Sequence, residues 1–182
     1  MPEYREFLSV EEIAKDYAIR RHREVNHHYN AMYPYAFHLQ MTVEVADQFI
    51  HLIPEIDRAD VRGGCWTHDI IEDARETFNN VKDATNETIA EYAFRCTTLR
   101  GRTRKERANE EYYRGIGEYK HCTFIKLCDR IANVTFSIRE KSSMINMYRK
   151  EFQFFYDNLY DGRFQEMWEY LKKLLKDDQT RA

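Results

Sequence analysis

The sequence contains few of the residues that break helices or form tight turns. Its 182 residues include only six glycines and three prolines. No stretch alternates polar and apolar residues in the way that a half-buried strand does. This scarcity argues against many short strands and favours long helices. We therefore expect an all-α fold of about seven helices in a single domain, residues 1–182.

The sequence also lacks the features of secreted and membrane proteins. Its four cysteines form no CxxC pair and no framework of the secreted type, and free thiols fit a reducing compartment. No apolar run approaches the length of a membrane span, and the N-terminal residues lack the apolar core of a signal peptide. These absences predict a cytoplasmic protein with no membrane partner.

An excess of positive charge is missing as well. The formal net charge is −3, and neither half of the chain is strongly basic. Because duplex nucleic acid is bound by several phosphate-neutralising side chains on one surface, we do not expect it as a partner. With 43% hydrophobic and 32% charged residues, the composition is typical of a soluble globular domain.

Helical spacing of apolar residues places the main helices. Ser9 and Glu12 have the form of a capping box, which predicts a helix from near Val10. Another helix is predicted from about Asp57 to Ala74, and the glycine pair 63–64 inside it suggests the close approach of a second helix. The remaining predicted helices run from His38 to Pro54, from Asn86 to Cys96, from Lys120 to Arg139, from Tyr148 to Leu159 and from Phe164 to Leu175.

The stretch from Trp66 to Asp73 contains one histidine and three acidic residues within six positions. Within it, His68 and Asp69 are followed by Glu72 and Asp73. On a helix, residues three or four apart share one face. Imidazole and carboxylate together suit Mn, Fe, Zn or Ni, and spare carboxylates can act on water. We interpret the stretch as part of a metal site, with a merely solvated helix face as the alternative.

Further ligands must come from other helices, because one helix cannot close a metal site. His38 opens the second helix, and Asp129 lies among apolar residues at helical spacing with Asn133 one turn later. The alternatives are a packing role for His38, and for Asp129 a structural ion pair with Arg130 or Lys126. Asn133 in turn could simply cap or pack.

These motifs resemble those of the HD superfamily of metal-dependent phosphohydrolases. His-Asp-x-x-Glu-Asp, at residues 68–73, is the form seen in RelA/SpoT-type hydrolases of the alarmone (p)ppGpp. Lys-Leu-Cys-Asp-Arg-Ile-Ala-Asn, at 126–133, is similar to their Lys-Leu-Ala-Asp-Arg/Lys-x-x-Asn, and Pro-Tyr-Ala-Phe-His, at 34–38, to their Pro-Tyr-Ile-x-His. The resemblance implies an HD-type helical bundle with its metal-site core at about residues 18–135 and closing helices at about 144–176.

The resemblance also implies roles for individual side chains. It implies one divalent metal ion, usually manganese in this group, with four ligands: His38, His68, Asp69 and Asp129. The residues that would orient and deprotonate the attacking water are Glu72 and Asp73. Asn133 would line the ribose or phosphate side of the nucleotide.

The connector after the first helix departs from the family. That connector usually carries an Arg or Lys pair that packs on the guanine base, but here residues 26–30 read Asn-His-His-Tyr-Asn. We expect His28 or Tyr29 to stack on the base, and Arg102 and Arg104 to supply the missing positive charge. The alternatives are a plain polar loop and the start of a solvated helix.

The function that the resemblance implies is removal of the 3′-pyrophosphate of (p)ppGpp or a related alarmone. Since no synthetase segment follows, a stand-alone hydrolase is expected. One alternative is an HD phosphohydrolase acting on ppApp, NADPH, a dNTP or a 2′- or 3′-phosphorylated nucleotide. An alternative of another class is a nucleotide-binding sensor without turnover. The aromatic residues between 152 and 168 would pack in the core or in a homo-oligomer contact.

Overall fold

The computed structural model describes residues 8–98 and 100–177, and within them the fold is all-α. The helices are α1 Val10–Glu24, α2 Ala36–Phe49, α3 Arg58–Thr67, α4 Ile70–Asp73, α5 Phe78–Ala84, α6 Glu87–Cys96, α7 Arg104–Arg107, α8 Glu110–Gly117, α9 Cys122–Arg139, α10 Met144–Leu159 and α11 Gln165–Asp177. The N-terminal residues on which the signal-peptide prediction rests lie outside this range. None of the described helices combines the length and apolar character that a bilayer crossing demands.

The predicted all-α class is confirmed, although the described part of the chain holds more helical segments than the seven or so expected. Four of them, α4, α5, α7 and α8, are only four to eight residues long. Because such segments make roughly one or two turns, they are too short to show a repeating apolar pattern.

The predicted helix starts are confirmed by their caps. Ser9 Oγ accepts a hydrogen bond from the Glu12 backbone N–H, and the Glu12 carboxylate accepts one from the Ser9 backbone N–H. Asn86 Oδ1 accepts from the backbone N–H of Ile89 at 2.9 Å and starts α6. These side chains satisfy N–H groups that the first turn of a helix leaves without partners.

The core is built around α9, which contacts α2, α3, α6, α8, α10 and α11. Most of its side chains are buried, as expected for a helix that is apolar nearly all round. The predicted close approach at the glycine pair is confirmed. A Cβ on Gly64 would lie 2.6 Å from Ile125 of α9 and 2.7 Å from Tyr92 of α6, so these helices pack directly on the backbone of α3.

A short hairpin occupies the connector between α1 and α2. Strand β1, His28–Tyr29, pairs antiparallel with β2, Tyr33–Pro34. The turns at its ends place Asn26 and Asn30 at φ values of 54° and 51°, a region that asparagine tolerates better than most residues. A two-residue strand cannot show alternation, so the sequence did not reveal this pairing.

The predicted continuous helix from Asp57 to Ala74 is wrong in its middle. The segment Glu55–Asp57 is a 3₁₀ turn, α3 ends at Thr67, and α4 begins only at Ile70. On an unbroken helix, adjacent side chains point about 100° apart. The break between α3 and α4 instead lets two neighbouring side chains, His68 and Asp69, point to one place.

Candidate metal centre

Side chains from three parts of the chain meet at that place. His38 comes from the first turn of α2, His68 and Asp69 from the break between α3 and α4, and Asp129 from the middle of α9. The Nε2 atoms of the two histidines lie 3.3 Å apart. Asp69 Oδ2 lies 2.9 Å from His68 Nε2 and 3.6 Å from His38 Nε2, and Asp129 Oδ1 lies 3.3 Å from His38 Nε2 and 3.7 Å from His68 Nε2.

These separations fit a common cation. Ligand atoms about 2.1 Å from one ion are roughly 3.0 to 3.5 Å from their nearest neighbours in the ligand shell. His38, His68 and Asp69 form a group whose ligand atoms lie within 4.8 Å of one another and that could hold a metal ion. Asp129 is not part of that group, but its Oδ1 lies 3.3 and 3.7 Å from the two imidazole nitrogens and is a candidate fourth donor. Two imidazoles with two carboxylates suit Mn, Fe, Zn or Ni.

The surrounding groups fix the orientation of the two imidazoles. His68 Nδ1 donates to the carbonyl oxygen of Cys65 at 2.8 Å, so Nε2 is the nitrogen that faces the centre. The ring of His38 stacks on Tyr29, with centroids 4.8 Å apart and an interplanar angle of 12°. Both imidazoles are almost fully buried, so their orientation is fixed by the core.

The two oxygens of Asp129 face different partners. Oδ2 accepts a hydrogen bond from Lys126 Nζ at 2.9 Å, whereas Oδ1 faces the imidazoles and accepts from the amide of Asn133. The ion pair proposed as the alternative to a ligand role is therefore present, but it uses the other oxygen. Asn133 Oδ1 in turn accepts from the hydroxyl of Tyr29 at 2.8 Å.

The charges at the centre favour a cation. Burial lowers the pKa of His68, but Asp69 and Asp129 outweigh it and raise that pKa well above the ordinary value. Burial likewise opposes ionisation of Asp69, yet His68 and His38 lower its pKa well below the usual range. Two ionised carboxylates thus draw positive charge to one buried point.

Glu72 and Asp73 lie in the wall of the cavity that opens at this centre. The carboxylate of Glu72 accepts hydrogen bonds from the backbone N–H and the hydroxyl of Thr98, at 3.0 and 2.8 Å. Asp73 still reaches solvent. Partial desolvation, together with the charges of Asp69 and Glu72, raises the pKa of Asp73 to about 7.

This cavity, of about 190 Å³, combines anionic and cationic groups with flat rings. Four cationic side chains line it: Arg104, Arg107, Lys126 and Arg130. Its tyrosines are Tyr29, Tyr35, Tyr112, Tyr113 and Tyr148. Of the two arginines predicted to supply charge, Arg104 lines the cavity and pairs with Glu151, whereas Arg102 is exposed and outside the lining.

The connector residues divide between two cavities. Tyr29 lines the cavity at the centre, together with Asn133. His28 is exposed, approaches the backbone oxygen of Asn26 at 2.9 Å and lines a second cavity of about 210 Å³. His27 also lines that second cavity and stacks on Tyr35. Both histidines of the connector therefore line the second cavity and not the one at the centre.

Sequence reasoning missed several residues of the cavity. Lys126 and Arg130 were considered only as ion-pair partners, although Lys126, Asp129 and Asn133 follow the spacing of one helix face. That spacing could have placed Lys126 at the site. Arg107 closes the basic run and Tyr35 belongs to the Pro-Tyr-Ala-Phe-His motif, but neither was assigned to the site. Their positions depend on the short helix α7 and on the hairpin before α2.

Comparisons with known proteins add no relative. No family model matches the chain, and no curated protein matches it.

Proposed function

We propose that this chain is a metal-dependent nucleotide pyrophosphohydrolase. Its substrate would be (p)ppGpp or a related alarmone, from which it removes the 3′-pyrophosphate, as the resemblance to RelA/SpoT-type hydrolases implies. The observation that carries the proposal is the composition of one cavity. Three of the candidate donors, His38, Asp69 and Asp129, line it together with two further carboxylates and four cationic side chains. The remaining donor, His68, is fully buried beside them.

Each group in the cavity has a distinct chemical use. The residues that would hold the ion, which the resemblance implies to be manganese, are His38, His68, Asp69 and Asp129. Such an ion supplies Lewis acidity toward water and phosphate oxygens. Arg104, Arg107, Lys126 and Arg130 provide the charge that neutralises phosphate groups.

The carboxylates of Glu72 and Asp73 would orient and deprotonate the attacking water. Asp73 lies in the cavity wall and still reaches solvent, so its carboxylate can accept a proton from a water in the cavity. The hydrogen bonds from Thr98 hold Glu72 in a fixed orientation, in which it can accept a hydrogen bond from the same water. The presence of both carboxylates supports turnover over a sensor that only binds.

A second candidate keeps this chemistry and changes the nucleotide. His27 and His28 line the second cavity rather than the one at the centre, and the ring of Tyr29 already stacks on His38. The connector thus offers a nucleobase different contacts from those of an Arg/Lys pair. This observation favours testing ppApp, NADPH, dNTPs and 2′- or 3′-phosphorylated nucleotides beside ppGpp.

A substrate panel tests the proposal. The purified chain with Mn²⁺ would be incubated with each nucleotide, and the products separated by anion exchange. We expect ppGpp or another alarmone to give a nucleoside diphosphate plus pyrophosphate. Asp69→Ala should abolish this, whereas Asp83→Ala, on the exposed side of α5, should not. If none of the panel is hydrolysed, the proposal is wrong.

A further inference from the structure

The hydroxyl of Tyr35 contacts two carboxylates of the candidate site, those of Asp69 and Asp73. It donates a hydrogen bond to Asp69 Oδ2 and lies 3.5 Å from Asp73 Oδ2. The side chain is buried and lines both the cavity at the centre and the second cavity. One phenol therefore links a carboxylate of the four-donor centre to a carboxylate of the cavity wall.

The bond to Asp69 uses the oxygen that faces the histidines. Asp69 Oδ2 is the atom 2.9 Å from His68 Nε2. A carboxylate oxygen has two lone-pair sites, so the phenol can occupy one while the other remains directed at the imidazole nitrogens. Hydrogen bonds of this kind orient a ligand and tune its basicity.

Two histidines support the ring of Tyr35. The ring of His27 stacks on it with centroids 3.8 Å apart and planes 18° apart, and the ring of His22 lies at 4.5 Å and 25°. His22 and His27 also approach each other, with their Nδ1 atoms 3.1 Å apart. His27, in the connector between α1 and α2, thus packs on Tyr35.

We propose that Tyr35 is a positioning residue, held by His27, that fixes Asp69 as a ligand and keeps Asp73 beside it. This inference rests on the proposed metal centre and hydrolytic function. The phenol does not react. It sets the direction of one donor atom, and it limits how far the two carboxylates can separate despite their like charge.

Tyr35→Phe tests the role without removing the ring. We expect Mn²⁺ affinity, measured by calorimetry on the metal-stripped chain, to fall about 10- to 100-fold, the usual effect of losing a bond to a ligating group. At saturating Mn²⁺, kcat should fall and KM should change little. Tyr33→Phe is the matched control, because Tyr33 stacks on Phe37 outside the centre and should leave Mn²⁺ affinity unchanged.

Variants of His27 test whether its ring holds Tyr35 in position. His27→Leu removes the stacked ring and should weaken Mn²⁺ binding several-fold, whereas His27→Phe keeps a flat ring and should restore it. An unchanged Mn²⁺ affinity in Tyr35→Phe would overturn the inference. If the wild-type chain binds Mn²⁺ and Tyr35→Phe weakens it, the positioning role is supported even when no nucleotide is hydrolysed, and only the proposed reaction fails.

Discussion

The Nε2 atoms of His38 and His68 lie 3.3 Å apart in the core, although 30 positions separate the two residues in the sequence. A single hydrogen bond between imidazoles could explain that distance alone. The carboxylates of Asp69 and Asp129 face the same two nitrogens. A shared cation would account for all four donors together, because it would neutralise the carboxylates and use one lone pair of each imidazole.

Glu72→Gln separates the proposed catalytic carboxylate from the proposed metal ligands. The amide keeps the shape of the side chain but removes its negative charge. We expect metal content to stay near one ion per chain while turnover falls by about two to four orders of magnitude. Metal content would be measured by mass spectrometry, with Glu110→Gln on the exposed start of α8 as control. Loss of the metal would mean that Glu72 is itself a ligand.

Two neighbouring arginines test which cations meet the phosphates. Arg104 lines the cavity and Arg102 does not, so Arg104→Gln should raise KM about tenfold, equal to about 1.4 kcal/mol. Arg102→Gln should leave KM near the wild-type value. Steady-state kinetics on the best substrate of the panel would measure both. Equal effects of the two changes would show that general surface charge, and not the cavity, attracts the nucleotide.

The sequence was sufficient to predict helices that have a clear capping residue or several turns of repeated apolar spacing. The helix caps at Ser9 and Asn86 and the apolar spacing of α9 predicted real helices, since caps and several turns of repeated spacing leave clear signals. The order of the motifs also placed His38, His68 and Asp129 on separate elements that do meet.

The sequence was insufficient to predict features of the site whose position depends on tertiary contacts. The break after Thr67 ends a helix without proline, so the convergence of His68 and Asp69 was not foreseeable from periodicity. Which of two arginines in one basic run lines the cavity depends on the position of the four-residue helix α7. The stacking of His27 on Tyr35 depends on the hairpin, whose strands are too short to leave a pattern.

The packing of α3 gives a prediction independent of function. A Cβ on Gly64 would approach Ile125 and Tyr92 to 2.6 and 2.7 Å, so Gly64→Ala should lower the free energy of unfolding by about 1 to 3 kcal/mol. Gly115, inside α8, has no atom within 4 Å of such a Cβ. Gly115→Ala should therefore raise that free energy by about 0.5 to 1 kcal/mol. Urea denaturation measures both, and a stabilising Gly64→Ala would contradict the packing.

His22 gives the fold a pH dependence. Burial lowers its pKa to about 4, against about 6.5 in an unfolded chain. Between these values the unfolded chain binds a proton that the folded chain does not. Stability therefore rises with pH through this window and is lost as pH falls from about 6.5 toward 4, by up to about 3 kcal/mol.

Replacing the imidazole should remove that part of the slope. Urea denaturation of His22→Leu at several values between pH 7 and pH 4 should show a flatter trend than wild type. His51→Ala, which removes an exposed imidazole that pairs with Glu166, serves as the comparison. Parallel trends in wild type and His22→Leu would show that His22 takes up its proton in the folded state as readily as in water.

The most direct measurement is a manganese titration of the metal-stripped chain that follows pyrophosphate release from ppGpp. We predict no release without metal and a rise that saturates near one Mn²⁺ per chain. His68→Ala and Asp129→Ala should lose both Mn²⁺ binding and release while keeping most of the helical circular-dichroism signal. Full release by the metal-stripped chain, or by either variant, would contradict the account.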